Sequence, residues 1–258
     1  MLGRCQYTLS TFVEKKKPGL RDCFFPHENF GEYVSRGARM VVELQLRGCP
    51  LELAHEFAVL VLYDLVILVD DSHSLLEEFD GNQTSTLRTV LRAVSEIYEL
   101  AREEGILSVR YLNSRQGQKN VTTEKVDKIV ANIRYHGLST VGTQLQQKVL
   151  EPFVQRKTMT RPLLAMVITD GNIEGERRGT LENNILNCLA RLQTDPEKTE
   201  HAVAFMFARI GENRDGEAFL ATLDDHQQIG RWIDNIPGGL ICIRLANSTD
   251  FWMKWTAT

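Results

Sequence analysis

Cysteine is scarce in this 258-residue chain and poorly placed for structural use. The five (Cys5, Cys23, Cys49, Cys188, Cys242) are odd in number, widely spaced and without a CxxC pair. That argues against a disulfide framework or a zinc knuckle and leaves them as buried, inert thiols. Long apolar runs are missing too. The longest, Ala58 to Val69, is broken by Asp64 and too short to cross a bilayer. The opening residues, MLGRCQYTLSTFVEKKKPG, hold no continuous apolar core of the signal-peptide kind. These absences predict a soluble, cytoplasmic protein, in which the glycosylation patterns at Asn82, Asn120 and Asn247 are chance matches. No charge excess stands out either. A net charge of -4 gives no electrostatic reason to expect nucleic acid or membrane as a partner. Neither GxGxxG nor GxxxxGK[ST] occurs, so no nucleotide-cradling loop is expected. Internal repeats and low-complexity tracts are absent.

What is present is organised around Tyr63 to Ser74, YDLVILVDDSHS. Leu65 to Val69 form an unbroken, branched apolar run that stops at two carboxylates. Such a run reads as a strand buried on both faces, the mark of a parallel sheet covered by helices. Further strands are expected at Ile106 to Leu112, Pro162 to Thr169, Ala202 to Ala208 and Leu240 to Leu245, with Asn113 to Asn120 a polar loop. Between them lie helical stripes, clearest at Thr84 to Glu104, where Leu87, Val90, Leu91, Val94, Ile97 and Leu100 recur every three or four residues. Pro50 opens another over LELAHEFAVLV, and Leu181 to Leu192 and Gly216 to Leu223 two more. The alternation predicts an α/β fold with a doubly wound, mostly parallel central sheet and helices on both faces.

Residues 51–246 are expected to form this domain. Residues 1–50 read as an extension packing on it, anchored by Phe24-Phe25-Pro26, with an extra strand at Met40 to Leu46. Residues 247–258 form a tail whose tryptophans, Trp252 and Trp255, pack back on the body.

Three loops carry chemistry: Asp70-x-Ser72-x-Ser74 after the first core strand, Gly142-Thr143 before a helix, and Asp170-Gly171 after a later core strand. In a doubly wound sheet the carboxyl ends of neighbouring strands meet at the switch point, where distant loops converge. Together the loops offer hard oxygen donors, which suit magnesium, calcium or manganese rather than zinc or copper. Two carboxylates in one metal-free site should also repel each other, so ligand-deleted variants are expected to be slightly more stable without metal. Asp71 reads as a structural hydrogen-bonding residue, and Glu174 and Glu176 as solvated loop charges. Serine caps and a turn aspartate would explain each loop singly, and Thr140 competes with Thr143 for the threonine role.

DDSHS, VGTQL and VITDGN occur in the order of three motifs of the von Willebrand factor type A family, which the chain resembles from about Tyr63 to Leu245. The resemblance implies a Rossmann-like fold with a metal-ion-dependent adhesion site and one short antiparallel edge strand, near Asn113 to Thr122. Ser72, Ser74 and Thr143 would be direct or near-direct ligands, and Asp70 and Asp170 would act directly or through water. It also implies a divalent cation, magnesium first with calcium or manganese as alternatives, and a protein partner offering an Asp or Glu carboxylate. The family's usual Gly and Met are replaced by His73 and Leu75, neither of which is a required ligand.

An enzyme is the rival reading. A haloacid-dehalogenase-type phosphotransferase would place an acid where Ser72 stands. A receiver domain would place its accepting aspartate about one βαβ unit, roughly 30 residues, after the first acids, and Asp170 lies far beyond that. No nucleophile with an adjacent base is evident. A metal-free scaffold is the third reading.

Overall fold

A computed structural model describes residues 1–25, 29–77, 82–155, 159–211 and 213–237. The chain starts with helices α1 (Leu2–Thr11), α2 (Leu20–Phe24), α3 (Phe30–Leu46) and α4 (Leu51–Phe57), and a 3-10 turn over Ala58–Leu62 delivers it to strand β1 (Asp64–Val69). Then follow α5 (Ser74–Glu77), α6 (Asn82–Ala101), β2 (Ile106–Tyr111), β3 (Gln118–Val121), α7 (Thr123–Ala131) and α8 (Val141–Leu145). Last come β4 (Leu163–Thr169), α9 (Thr180–Thr194), β5 (Val203–Arg209), α10 (Arg214–Asp224) and β6 (Ile233–Pro237). The six strands form one sheet in the order β3-β2-β1-β4-β5-β6. All neighbours are parallel except β2 and β3, so the antiparallel edge strand lies where the family resemblance implied it.

The unbroken apolar run of β1 has a simple physical cause, because alternate side chains enter two separate cores. Leu65, Ile67 and Val69 join one cluster with residues of α1, α3, α4, α6 and α7, including Leu9, Val34, Phe57, Leu91 and Val126. Val66 and Leu68 join the other, with Val141, Leu145, Ile185 and Leu220 of α8, α9 and α10. Each branched side chain so buried contributes roughly 1.5 to 3 kcal/mol before conformational entropy is charged against it. The amino end of β1 is pinned as well: the Tyr98 hydroxyl donates to the Tyr63 carbonyl at 2.7 Å and accepts the Leu65 N–H at 3.0 Å. Asp64 is paired with Arg102.

The first fifty residues pack on the β1 face through Cys5, Leu9, Phe12 and Phe25, all buried. The extra strand expected at Met40 to Leu46 is instead the end of α3. Phe30, Val34, Gly37, Ala38, Val41 and Leu44 are buried at helical spacing, while Val42 and Leu46 stay exposed. The sixth strand is β6, at Ile233–Pro237, whereas the expected strand at Leu240 to Leu245 and the tryptophan tail lie outside the described residues. No helix among the described residues is long and apolar enough to cross a membrane.

Strand order now positions the functional loops. From β1 the chain moves outward to β2 on one side, and it later returns to place β4 on the other. The connections after β1 and β4 therefore part company at their carboxyl ends, and that divergence opens a crevice.

Candidate functional site

Strand β1 ends at Val69 and β4 at Thr169, side by side, with the Asp70 N–H donating to the Ile168 carbonyl at 2.8 Å. Asp70 and Asp170 thus leave adjacent parallel strands at the same level, and both are fully buried. Asp70 is held from three directions. One carboxylate oxygen accepts the Ser72 N–H at 2.9 Å, and the other accepts the Ser139 hydroxyl at 2.7 Å and the Thr169 hydroxyl at 2.8 Å. Burial raises its pKa above the usual carboxylate range, and the bonds from Ser72, Ser139 and Thr169 oppose that rise.

The bond from the Ser72 N–H makes a local Asp turn, which brings Ser72 and Ser74 onto one side of the loop. Their hydroxyl oxygens lie 3.0 Å apart, and the Ser74 hydroxyl donates to Asp170 at 3.0 Å. Three oxygens from two loops therefore stand in a row at equal spacing. Neighbouring ligands of an octahedral cation with bonds of about 2.1 Å are separated by about 3.0 Å, a spacing these hydrogen-bonded oxygens share, so a cation could replace the protons between them without moving the loops. Asp170 is fixed in turn by the Asn172 N–H at 2.9 Å. A cleft of about 250 Å³ opens over these residues, walled by His73, Leu138, Asn172 and Glu174. No group of three His, Cys, Asp or Glu side chains gathers among the described residues, so any cation here would rely on hydroxyls as much as on carboxylates.

Thr143 is in the first turn of α8, and Thr140 is the residue before that helix. The Thr143 hydroxyl is not part of the serine row. It donates to Glu176 at 2.8 Å, and the same carboxylate accepts the N–H groups of Gly142 and Thr143, each at 2.8 Å. Glu176 is thus no solvated loop charge: it is half-buried and engaged with three donors at the start of a helix. Its only sequence signal is indirect, since free N–H groups at a helix start attract an anion. A threonine hydroxyl that donates one bond keeps its lone pairs for a cation, so this contact is compatible with a ligand role. Gly142 is required by the packing, because a Cβ there would lie 2.5 Å from the Leu181 backbone nitrogen of α9.

Asp71 has the structural role its position suggested. Its carboxylate accepts the Asn113 N–H at 2.6 Å, the Ser114 N–H at 2.9 Å and the Ser114 hydroxyl at 2.6 Å. Lys148 secures the same loop from below, donating to the carbonyls of Tyr111 and Leu112 at 2.7 Å and of Ser114 at 3.2 Å. Burial lowers the Lys148 pKa, and Asp71 works against that shift. Ser139 and Thr169, which hold Asp70, were not singled out by the sequence. Each becomes significant only when β4 and the loop before α8 close around β1.

No protein-family profile matches the chain, and no curated protein matches it in sequence. Solved structures do match in fold. Proximal thread matrix protein 1 of the mussel byssus aligns with a TM-score of 0.50 at 14% identity, over 71% of this chain and 46% of that one. The same protein with a zinc-occupied MIDAS motif aligns at 0.47 and 11% identity, over 71% and 46%. The manganese-loaded TRAP protein of Plasmodium vivax aligns at 0.45 and 15% identity, over 73% of each chain. The chain thus spans less than half of the byssus protein. The fold is that of the von Willebrand factor type A domain.

Proposed function

We propose that this chain is a protein-binding module, not an enzyme, and that a divalent cation at the switch point takes part in binding. The row of Ser72, Ser74 and Asp170 oxygens at 3.0 Å spacing carries the proposal. Those three would hold the cation, with Thr143 completing the set through lone pairs left free by its bond to Glu176. Three of the roughly four acceptor positions of Asp70 are filled by protein donors. With the Ser72 side chain also acting on it, Asp70 serves mainly as the frame of the loop and would reach the cation through water. Magnesium fits best, because a hard, small ion suits an all-oxygen site with few carboxylates. When bound, the cation supplies a position for an incoming carboxylate oxygen, the Asp or Glu of a protein partner.

The test is calorimetric titration of Mg²⁺ and Mn²⁺ into wild type, Ser74→Ala and Thr143→Ala. Ser74→Ala removes the oxygen that bridges the row and should abolish measurable binding, while Thr143→Ala should weaken it less. Equal affinity in all three variants would place any cation elsewhere. Steady metal-dependent hydrolysis of phosphate esters, lost in Asp70→Asn, would overturn the binding reading in favour of phosphotransfer.

A further inference from the structure

The chain is acidic overall, with a net charge of -4, yet one cavity has the opposite character. About 1040 Å³ in volume, it lies between the β2–β3 loop, α7 and the segment after α7. Arg115, Lys125, Lys128, Arg134 and His136 line it, and no Asp or Glu does among the described residues. The four fixed cations are exposed. Of the two acids of α7, Glu124 is not in the lining and Asp127 is paired with Arg88 and Arg92 of α6. The groove adjoins the candidate cation site. Asp71, next to Asp70, holds both its lips, through Asn113 and Ser114 on one side and by accepting the His136 N–H at 2.8 Å on the other.

We propose that this groove seats an acidic peptide segment of a protein partner, several of whose Asp and Glu side chains pair with these cations while one further carboxylate reaches the cation site. The inference rests on the proposed role of that site. Like-signed cations around a concave wall favour a ligand of opposite charge and raise its local concentration. Single-stranded nucleic acid would satisfy the charge, but it also needs exposed rings on which to stack its bases. Among the described residues the lining holds one Phe, Tyr or Trp ring, Tyr111, which is only 8% exposed, and this leaves the His136 imidazole as the single exposed ring for stacking.

The experiment measures fluorescence anisotropy of a labelled peptide of alternating Glu and Gly, with Mg²⁺ and with EDTA, at low and high salt. A labelled oligothymidylate of equal charge runs alongside. The proteins are wild type, the double variant Lys125→Glu/Lys128→Glu and Ser74→Ala, each checked for an unchanged melting temperature. Because both lysines are exposed, the charge reversal should leave the fold intact. It should weaken peptide binding by about tenfold or more, with and without Mg²⁺, an effect that high salt erases. Ser74→Ala should remove only the Mg²⁺-dependent part. Wild-type affinity in the charge-reversed protein overturns the groove inference, even if Mg²⁺-dependent binding persists and the cation site stands. Binding lost on charge reversal but indifferent to EDTA and Ser74→Ala upholds the groove and sinks the cation site. Tighter binding of the oligothymidylate than of the peptide overturns the peptide assignment.

Discussion

Replacing Asp70 by Ala and by Asn should separate its two jobs, framing the loop and serving the cation. The side chain is 0% exposed and accepts bonds from the Ser72 N–H and from the Ser139 and Thr169 hydroxyls. Alanine leaves three buried donors facing nothing, and each orphaned donor costs roughly 1 to 3 kcal/mol. Two effects reduce the total. The hydroxyls can rotate towards other acceptors, and removing the carboxylate also removes the burial penalty that raises its pKa. A net loss of roughly 2 to 4 kcal/mol is expected for Asp70→Ala, a large share of a typical domain stability of about 5 to 15 kcal/mol. Asparagine keeps one oxygen for the Ser72 N–H and turns its NH₂ towards two hydroxyls that can accept. It should cost about 1 kcal/mol or less. Urea unfolding in excess chelator measures both through linear extrapolation. In Mg²⁺ the wild type should gain stability by mass action, and both variants should lose most of that gain. If Asn proves as damaging as Ala, or Ala costs nothing, the hydrogen-bonded frame is wrong. The sequence alone suggested the opposite sign, a gain on deleting a repelling carboxylate. The structure reverses it for Asp70 because its neighbours are donors.

Two further outcomes follow from groups outside that frame. Glu176→Ala strips the acceptor from the Gly142 and Thr143 N–H groups and the Thr143 hydroxyl, and should destabilise the fold by roughly 1 to 3 kcal/mol in denaturant; wild-type stability would remove Glu176 from the site. Burial, with Lys17 and Arg231 nearby and Glu200 opposing, lowers the His201 pKa from 6.5 to about 4. The unfolded chain therefore takes up the proton first, so this contribution is present above pH 6.5 and is lost as pH falls from 6.5 to about 4. Discounted for solvent exposure, it amounts to roughly 1 to 2 kcal/mol. His201→Gln should flatten the stability profile across that window, and an unflattened profile would show that another group is responsible.

The legible parts of the fold were those whose signal is local. β1 and β4 are apolar runs ending in aspartate, and α6 and α9 carry stripes long enough to fix their period. The Met40 to Leu46 window misled because Val42 to Leu46 alternate by chance, while the burial period of α3 emerges only over its 17 residues. β6 was invisible because IDNIP is short and carries Asp, Asn and Pro. At the site, Asp70, Ser72, Ser74 and Asp170 were legible as a convergence of loops, and the structure brings these four into one hydrogen-bonded chain. Ser139, Thr169 and Glu176 were not, since a serine, a strand-end threonine and a loop glutamate have no local signature. Their roles come from closure of segments 69, 99 and 33 residues apart in sequence.

Asp71 joins neighbouring places, with its backbone in the serine loop and its bonds on both lips of the basic groove. That makes it a mechanical link between the cation site and the groove, in addition to the peptide carboxylate proposed to reach the cation. If cation and peptide each bias its position, thermodynamic reciprocity requires that the peptide tighten or loosen the cation by the same factor that the cation applies to the peptide. The Asp71 carboxylate holds the Asn113 and Ser114 lip and its backbone carbonyl the His136 lip, so neutralising the side chain would weaken the cooperativity through the first lip while leaving each site able to bind.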